Sequence, residues 1–316
     1  NQASGIDGTL SFIDEKTETV SNNVFETTNE RKLGSTVQDG VILGNNLYIA
    51  VSKSNTIEVV NKNTLVSVVQ IVPTPAQGNT PRDIVTDGKY VYVSMYTGVV
   101  SRIDPSTNTI DKTVAVGPNP EEMVIVNKSL YVTNSDGNNY NAGYANGKSV
   151  SKISLSDFVE EKKIAVGLNP TKITADVLGN VLVLCMGDYS ATPATVWKIN
   201  AEDEATSMNI PATIMDIKDN SLYVINAPYG APSITYTVYN TSSGAVEKEN
   251  FVSAPVDAPA GIAVHSDGRI FITSYTLVGG FASYKTPGYV SEYSSDGTFV
   301  KKYDVGVGAV SMTFLK

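Results

Sequence analysis

A pattern of about 40 to 50 residues returns along this chain, and a fixed period of that length narrows the fold more than any single residue does. Each copy reads as a short apolar strand (a), a tight polar turn, an alternating apolar strand (b), a loop, a third strand (c), a polar turn and a fourth strand (d). Copies open on Pro81, Pro120, Pro170, Pro211 and Pro259, and an earlier one runs "VQDGVIL", "NNLYIAVSK", "NTIEVVNKNT", "LVSVVQIV". Turn chemistry supports the division, with "DG" at 87–88 and 267–268, "DN" at 219–220 and "NN" at 45–46, residues that tolerate the positive φ of two-residue hairpins. Helical periodicity is not evident anywhere, so almost no helix is expected.

Four strands per period fit a propeller blade. The chain ends on "GAVSMTFLK", an a strand without a successor, and starts on "GTLSFIDEKTETV", which reads as c and d without predecessors. Joined, they predict a seventh blade shared by residues 1–34 and 305–316, closing the ring between the N- and C-terminal strands and removing an exposed sheet edge. The expectation is therefore an all-β, seven-bladed β-propeller of four-stranded antiparallel blades, a single domain over 1–316, with one b strand missing upstream of Asn1.

Composition bears on partners. With 316 residues, 41% hydrophobic, the chain can bury a sizeable core without crosslinks or metals. Its net charge of -9 and lack of a lysine or arginine cluster argue against nucleic acid. No apolar run reaches the length of a membrane span. "NQASGID" is a polar start without methionine, so removal of a leader is expected. The single cysteine, Cys185 in "VLVLCMG", reads as a small buried hydrophobe.

"LYVTN" at 130–134, "VAVGPNP" at 114–120 and "IAVG" followed by "NP" within 164–170 resemble the YVTN repeat propellers, over essentially the whole chain. "GTLSFID" and the irregular blades with long b-to-c loops are similar to the YncE-like surface propellers of gut Bacteroidota, which include the BtuG type of cobalamin-binding lipoprotein. That resemblance implies an outer-membrane lipoprotein at the cell surface, or a periplasmic protein. It would bind a corrinoid such as cobalamin and pass it to a TonB-dependent outer-membrane transporter.

In a propeller the b-to-c and d-to-a connections share one face. The a-to-b turns are short, whereas "NSDGNNYNAGYANG" (134–147) and "YTLVGGFASYKTPG" (275–288) run to about fourteen residues and "GDYSATPA" (187–194) to about eight, lengths that are uncommon without a function. The b-to-c loops as a set carry Tyr96, Tyr140, Tyr144, Tyr189, Tyr229, Tyr275 and Tyr284, with Phe281, and the polar Asn134, Asn139 and Asp188. Tyrosine offers a flat apolar body and one hydrogen-bonding tip at small entropic cost, which suits a large amphipathic ligand or a protein surface. At the d-to-a corners, "TPRD", "NPEE" and "NPTK" place Arg82, Asp83, Glu121, Glu122 and Lys172 around the central mouth, as ligand groups or as a solvated structural corner.

Catalytic chemistry is sparse. Nucleophilic triads and zinc sites want histidine, and the one here, His265, precedes an a-to-b hairpin on the face opposite the long loops. "NSDGNN" lacks the terminal bidentate glutamate of a calcium loop, "EDE" at 202–204 reads as a solvated turn, and Trp197 reads as sheet packing. No catalytic residue, metal or cofactor is expected. The alternatives to small-ligand capture are a protein- or glycan-interaction propeller and a lactonase- or lyase-type enzyme.

Overall fold

The computed structural model describes residues 6–230 and 233–315. Six four-stranded antiparallel sheets make up an all-β propeller. Blade 1 spans residues 37–71, blade 2 81–115, blade 3 120–165, blade 4 170–207, blade 5 214–249 and blade 6 259–307. In each, the four strands a to d follow one another as a meander. Blade 6 inserts a two-stranded hairpin, Leu277–Val278 with Phe281–Ala282, between its second and third strands.

The blade count corrects the seven expected from the repeats. Among the described residues, Phe12–Asp14 and Thr19–Ser21 pair only with each other, and 309–315 joins no sheet. Residues 305–307 belong instead to blade 6, as the end of its nine-residue last strand Phe299–Val307. A ladder needs adjacent backbones, and no described strand links Phe12–Asp14 to 309–315. The terminal segments meet through side chains: Gly306 N donates to Ser11 Oγ at 3.0 Å, Asn22 Nδ2 to the Asp304 carbonyl at 3.3 Å, and Lys301 pairs with Glu18 at 2.7 Å. The strand expected upstream of Asn1, and Asn1–Gly5 themselves, lie outside the described residues. Among the described residues, helix is confined to Val24–Asn29 and two 3-10 turns, Pro75–Gln77 and Gly137–Ala142.

Two compact units result, one of residues up to Val72 with those from Asn250 on, the other Pro73–Glu249. In the second, each blade packs its apolar face on the next. Tyr92 and Val100 of blade 2 meet Met123 and Leu130 of blade 3. Val150 and Ile164 meet Ile173 and Val183 of blade 4, and Leu182 and Val196 meet Met215 and Leu222 of blade 5. Second strands are sandwiched on both faces, which is why "VYVSM" and "VLVLC" are buried throughout while the last strand of blade 2, "TIDKTVA", is mostly exposed. In the other unit, Phe25 and Leu33 cover blade 1, and Ile13, Val20, Met312 and Phe314 cover blade 6.

Hairpin chemistry follows the residues. Positive φ occurs at Gly44, Gly88, Asp219 and Gly268, and at both Asn127 and Lys128 of the blade 3 turn. Before three of the corner prolines stand Thr80, Asn119 and Asn169, all left-handed, which turns the chain into the first strand of the next blade.

Candidate functional site

In the 73–249 unit the b-to-c loops of blades 2, 3 and 4 are stitched together from beneath by two asparagines. Asn119 donates from Nδ2 to the Tyr96 carbonyl (2.9 Å) and accepts the Asn138 amide on Oδ1 (3.0 Å), joining the loops of blades 2 and 3. Asn169 donates from its backbone to the Gly147 carbonyl (2.7 Å) and from Nδ2 to the Gly187 carbonyl (3.2 Å), joining the loops of blades 3 and 4. Both are buried, so each bond stands where an unpaired amide would be costly. Sequence reasoning missed these clamps as functional supports, although the repeated "NP" of "VGPNP" and "VGLNP" marks them.

The long loop 134–147 is ordered by its own polar groups. Asp136 Oδ2 accepts from Asn139 Nδ2 (3.0 Å) and the Asn146 amide (2.9 Å), and a 3-10 turn runs from Gly137 to Ala142. Calcium has no three-carboxylate set there, and no metal-holding group of His, Cys, Asp or Glu occurs among the described residues. Gly137 lies where an added Cβ would stand 2.1 Å from the Tyr96 hydroxyl, so any larger residue makes that ring tip shift where the loops of blades 2 and 3 meet.

Above this base sit the rings. Tyr140 and Tyr189 are 63% and 66% exposed. Tyr144 and Tyr189, from neighbouring blades, meet edge to face at 6.2 Å, and both adopt left-handed backbone, φ 56° and 58°, a strained conformation for an aromatic residue. Tyr96 is half-buried with the Arg82 guanidinium 4.8 Å over its ring; burial, then the Glu121 charge, push its phenol up to about 12. Burial likewise raises Tyr144, so both remain neutral donors near neutral pH. Tyr229, in blade 5, is 97% exposed.

The corner charges pair among themselves. Arg82 binds Glu121 at 2.6 Å, and burial raises the Glu121 carboxyl against the pull of Arg82. Lys172 Nζ bonds Glu122 Oε1. Asp83 is buried and accepts the Met123 amide of the next blade at 2.8 Å, while Glu122 accepts the Ile173 amide of the next at 3.4 Å. The same corner position thus ties blade 2 to 3 and blade 3 to 4. Asp83 and Glu122 serve the fold, Arg82 and Glu121 lie beside Tyr96, and Lys172 stays partly open on Glu122. Asn134 is fully buried, giving Nδ2 to Ser149 and Ser151 (3.1 and 2.9 Å), and Asp188 spends one carboxylate oxygen on the Ser190 and Thr192 amides of its own loop, both at 2.9 Å. Asn134 is thereby tied into its own sheet, and Asp188 braces its own loop with one carboxylate oxygen.

In the other unit, Tyr275 is buried beneath Tyr284, ring centroids 4.9 Å apart, and burial raises its phenol to about 12. The 275–288 loop is the inserted hairpin, turning on Gly279 and Gly280, both at positive φ, and its tip exposes Val278 and Phe281, the latter at 70%. His265 bonds Asp267 (2.8 Å) and stacks on Phe314 (4.7 Å), beside an a-to-b turn and away from the hairpin loop of its blade.

A family model described as a domain of unknown function, DUF5074, matches residues 5–305. Among curated proteins there is no match. Among solved structures the chain is similar to Kuenenia stuttgartiensis hydrazine synthase, at 14% identity and TM-score 0.67 over 88% of this chain and 90% of that one. It is also similar to the computationally designed Ika8 protein, at 9% identity and TM-score 0.60 over 89% and 91%. Identities this low speak for the fold alone.

Proposed function

The chain belongs to the DUF5074 family, and from that premise we propose that it is a non-enzymatic binding propeller whose recognition surface is the tyrosine-bearing loop cluster of blades 2 to 4. One observation carries this reading: Tyr140 and Tyr189 stand exposed on loops that buried asparagines hold rigid, so large apolar area faces solvent at little ordering cost. Support also comes from the acid residues at the blade corners. They are paired with Arg82, Lys172 or backbone amides, which suits a fixed polar rim better than acid-base chemistry.

The ligand class is a flat amphipathic molecule with peripheral hydrogen-bonding groups, and a corrinoid such as cobalamin is its specific form, carried by the resemblance to surface cobalamin-capture propellers. On this reading the protein works at the cell surface and delivers its ligand to an outer-membrane transporter. Four tyrosines each covering about 75 Å² at roughly 25 cal/mol per Å² contribute about 7.5 kcal/mol, inside the ~4–15 kcal/mol cost of association, so Arg82, Glu121 and Asn139 must add polar contacts. Titrating cyanocobalamin into the purified chain tests this: heat release or a spectral shift at micromolar concentration is expected, and silence there defeats the corrinoid form. A second reading, docking of a macromolecule, is favoured by the exposed Val278 and Phe281 at the blade 6 hairpin tip. Retention of the chain by isolated outer membranes, lost in Phe281→Asp with no small-molecule response, would select it.

A further inference from the structure

In each of the six four-stranded sheets the last strand stands at an edge, and five of these edges are guarded. Thr109–Ala115, Val159–Ala165, Val246–Glu249 and Phe299–Val307 carry charges, such as Asp111 with Lys112 and Lys301 with Lys302, and Ala205–Ser207 is only three residues long. Charge and brevity both keep an open edge from pairing with another chain. Blade 1 uses neither. Its last strand, Ser67–Ile71, lies in a stretch without a charged residue between Lys62 and Arg82, and Val66, Val68 and Val72 are all more than half exposed.

The inner side of that strand is fixed. Val69, Gln70 and Ile71 pair with Val59, Glu58 and Ile57, and Gln70 Nε2 donates to the buried Glu58 carboxylate at 3.1 Å. On the outer side Asn29 covers the start, its Oδ1 accepting the Ser67 amide at 2.7 Å and its Nδ2 donating to the Leu65 carbonyl at 2.9 Å. From Val68 to Val72 no strand among the described residues pairs with the outer side. Pro73, without an N–H, ends the open stretch.

We propose that Val68–Val72 is a self-association edge, pairing antiparallel with the same segment of a second copy of this chain about a two-fold axis. Centred on Gln70, the pairing sets Val68 against Val72, Val69 against Ile71 and Gln70 against its twin, β-branched or amide side chains with no charge opposed. Charge argues for a second copy as the partner. Two chains of net charge -9 repel, and a stretch free of carboxylates is where they touch at least cost. Short uncharged segments of high β-propensity also match copies of themselves, side chain on identical side chain. One unguarded edge per chain makes the contact closed, so association stops at two. Five residues a side is far fewer than the roughly 20–30 of a standard interface, so the dimer is weak and depends on concentration.

Sedimentation equilibrium of the whole chain from about 10 µM to about 1 mM tests this, with a mass rising from one chain to two and no further. Hydrogen exchange at the upper concentration should slow about tenfold at amides within 68–72. The double variant Val68→Lys, Val72→Lys changes only exposed side chains, so it should keep the parent melting temperature and stay monomeric throughout. Leu178→Lys, at an equally exposed apolar position in the first turn of blade 4, should leave the dimer intact. A single-chain mass at every concentration, growth beyond two chains, protection only outside 68–72, association surviving the double variant, or association lost equally in Leu178→Lys would each overturn the proposal.

Discussion

Gly167 has no side chain because nothing else fits: an added Cβ would stand 2.5 Å from Trp197 Nε1 and 3.0 Å from Cys185 Cβ. Both neighbours are rigidly packed in the core between blades 3 and 4, so Gly167→Ala should destabilise by about 1–3 kcal/mol, read as a lower denaturation midpoint at unchanged slope. Cys185 shares that environment, and burial pushes its thiol up to about 12. It should therefore resist a disulfide reagent at pH 8 in the native chain and react at once in denaturant; rapid native labelling would contradict its placement. Cys185 and Trp197 were legible as packing residues because "VLVLCMG" and "TVWKIN" are apolar strands. Asn134 was not, since an asparagine at the end of "LYVTN" reads equally as a loop donor, and only the positions of Ser149 and Ser151 make it a buried strand residue.

At the scale of elements, turns do more than reverse the chain. Asp203, in the "EDE" turn of blade 4 that reads as mere solvation, reaches across to blade 3 and binds Lys152 at 2.9 Å. Burial raises its carboxyl, but the Lys152 and Lys162 ammonium groups outweigh that and hold it below the ordinary 3.8. A carboxyl lowered on folding contributes stability above its unfolded pKa and loses it as pH falls through the folded value. The Asp203 contribution should thus be whole at neutral pH and fade below about pH 4. Asp203→Asn should cost roughly 1–3 kcal/mol at pH 7 and much less at pH 3, so an equal loss at both would exclude this ion pair as the cause. Cross-blade reach of this kind has no local signature. The two-residue turns do, because Asp-Gly and Asn-rich pairs supply positive φ whatever surrounds them.

Across the molecule, binding and stability should separate. Tyr140→Ala and Tyr189→Ala remove exposed rings, so each should leave the melting temperature almost unchanged while weakening ligand affinity by roughly tenfold. Gly137→Ala acts from below, pushing the Tyr96 hydroxyl aside, and should lower affinity without touching either exposed ring. A fall in affinity only where the melting temperature also falls would mean that the loops matter for folding rather than recognition.

The amino-acid sequence by itself determined the blade: period, strand order, hairpin turns and the sandwiched second strands all follow from local alternation and turn propensities, which need no distant partner. Blade number and the fate of the corner charges were decided in three dimensions. The apolar alternation in "GAVSMTFLK" promises a strand, yet a strand joins a sheet only by pairing its backbone in register with another, and no such ladder forms there among the described residues. Asp83 and Glu122 resemble a ligand rim in the linear text, and become inter-blade ties because the next first strand brings the amides of Met123 and Ile173 to their carboxylates. Hydrogen bonds between segments forty or fifty residues apart depend on where packing sets each blade, which no local pattern encodes.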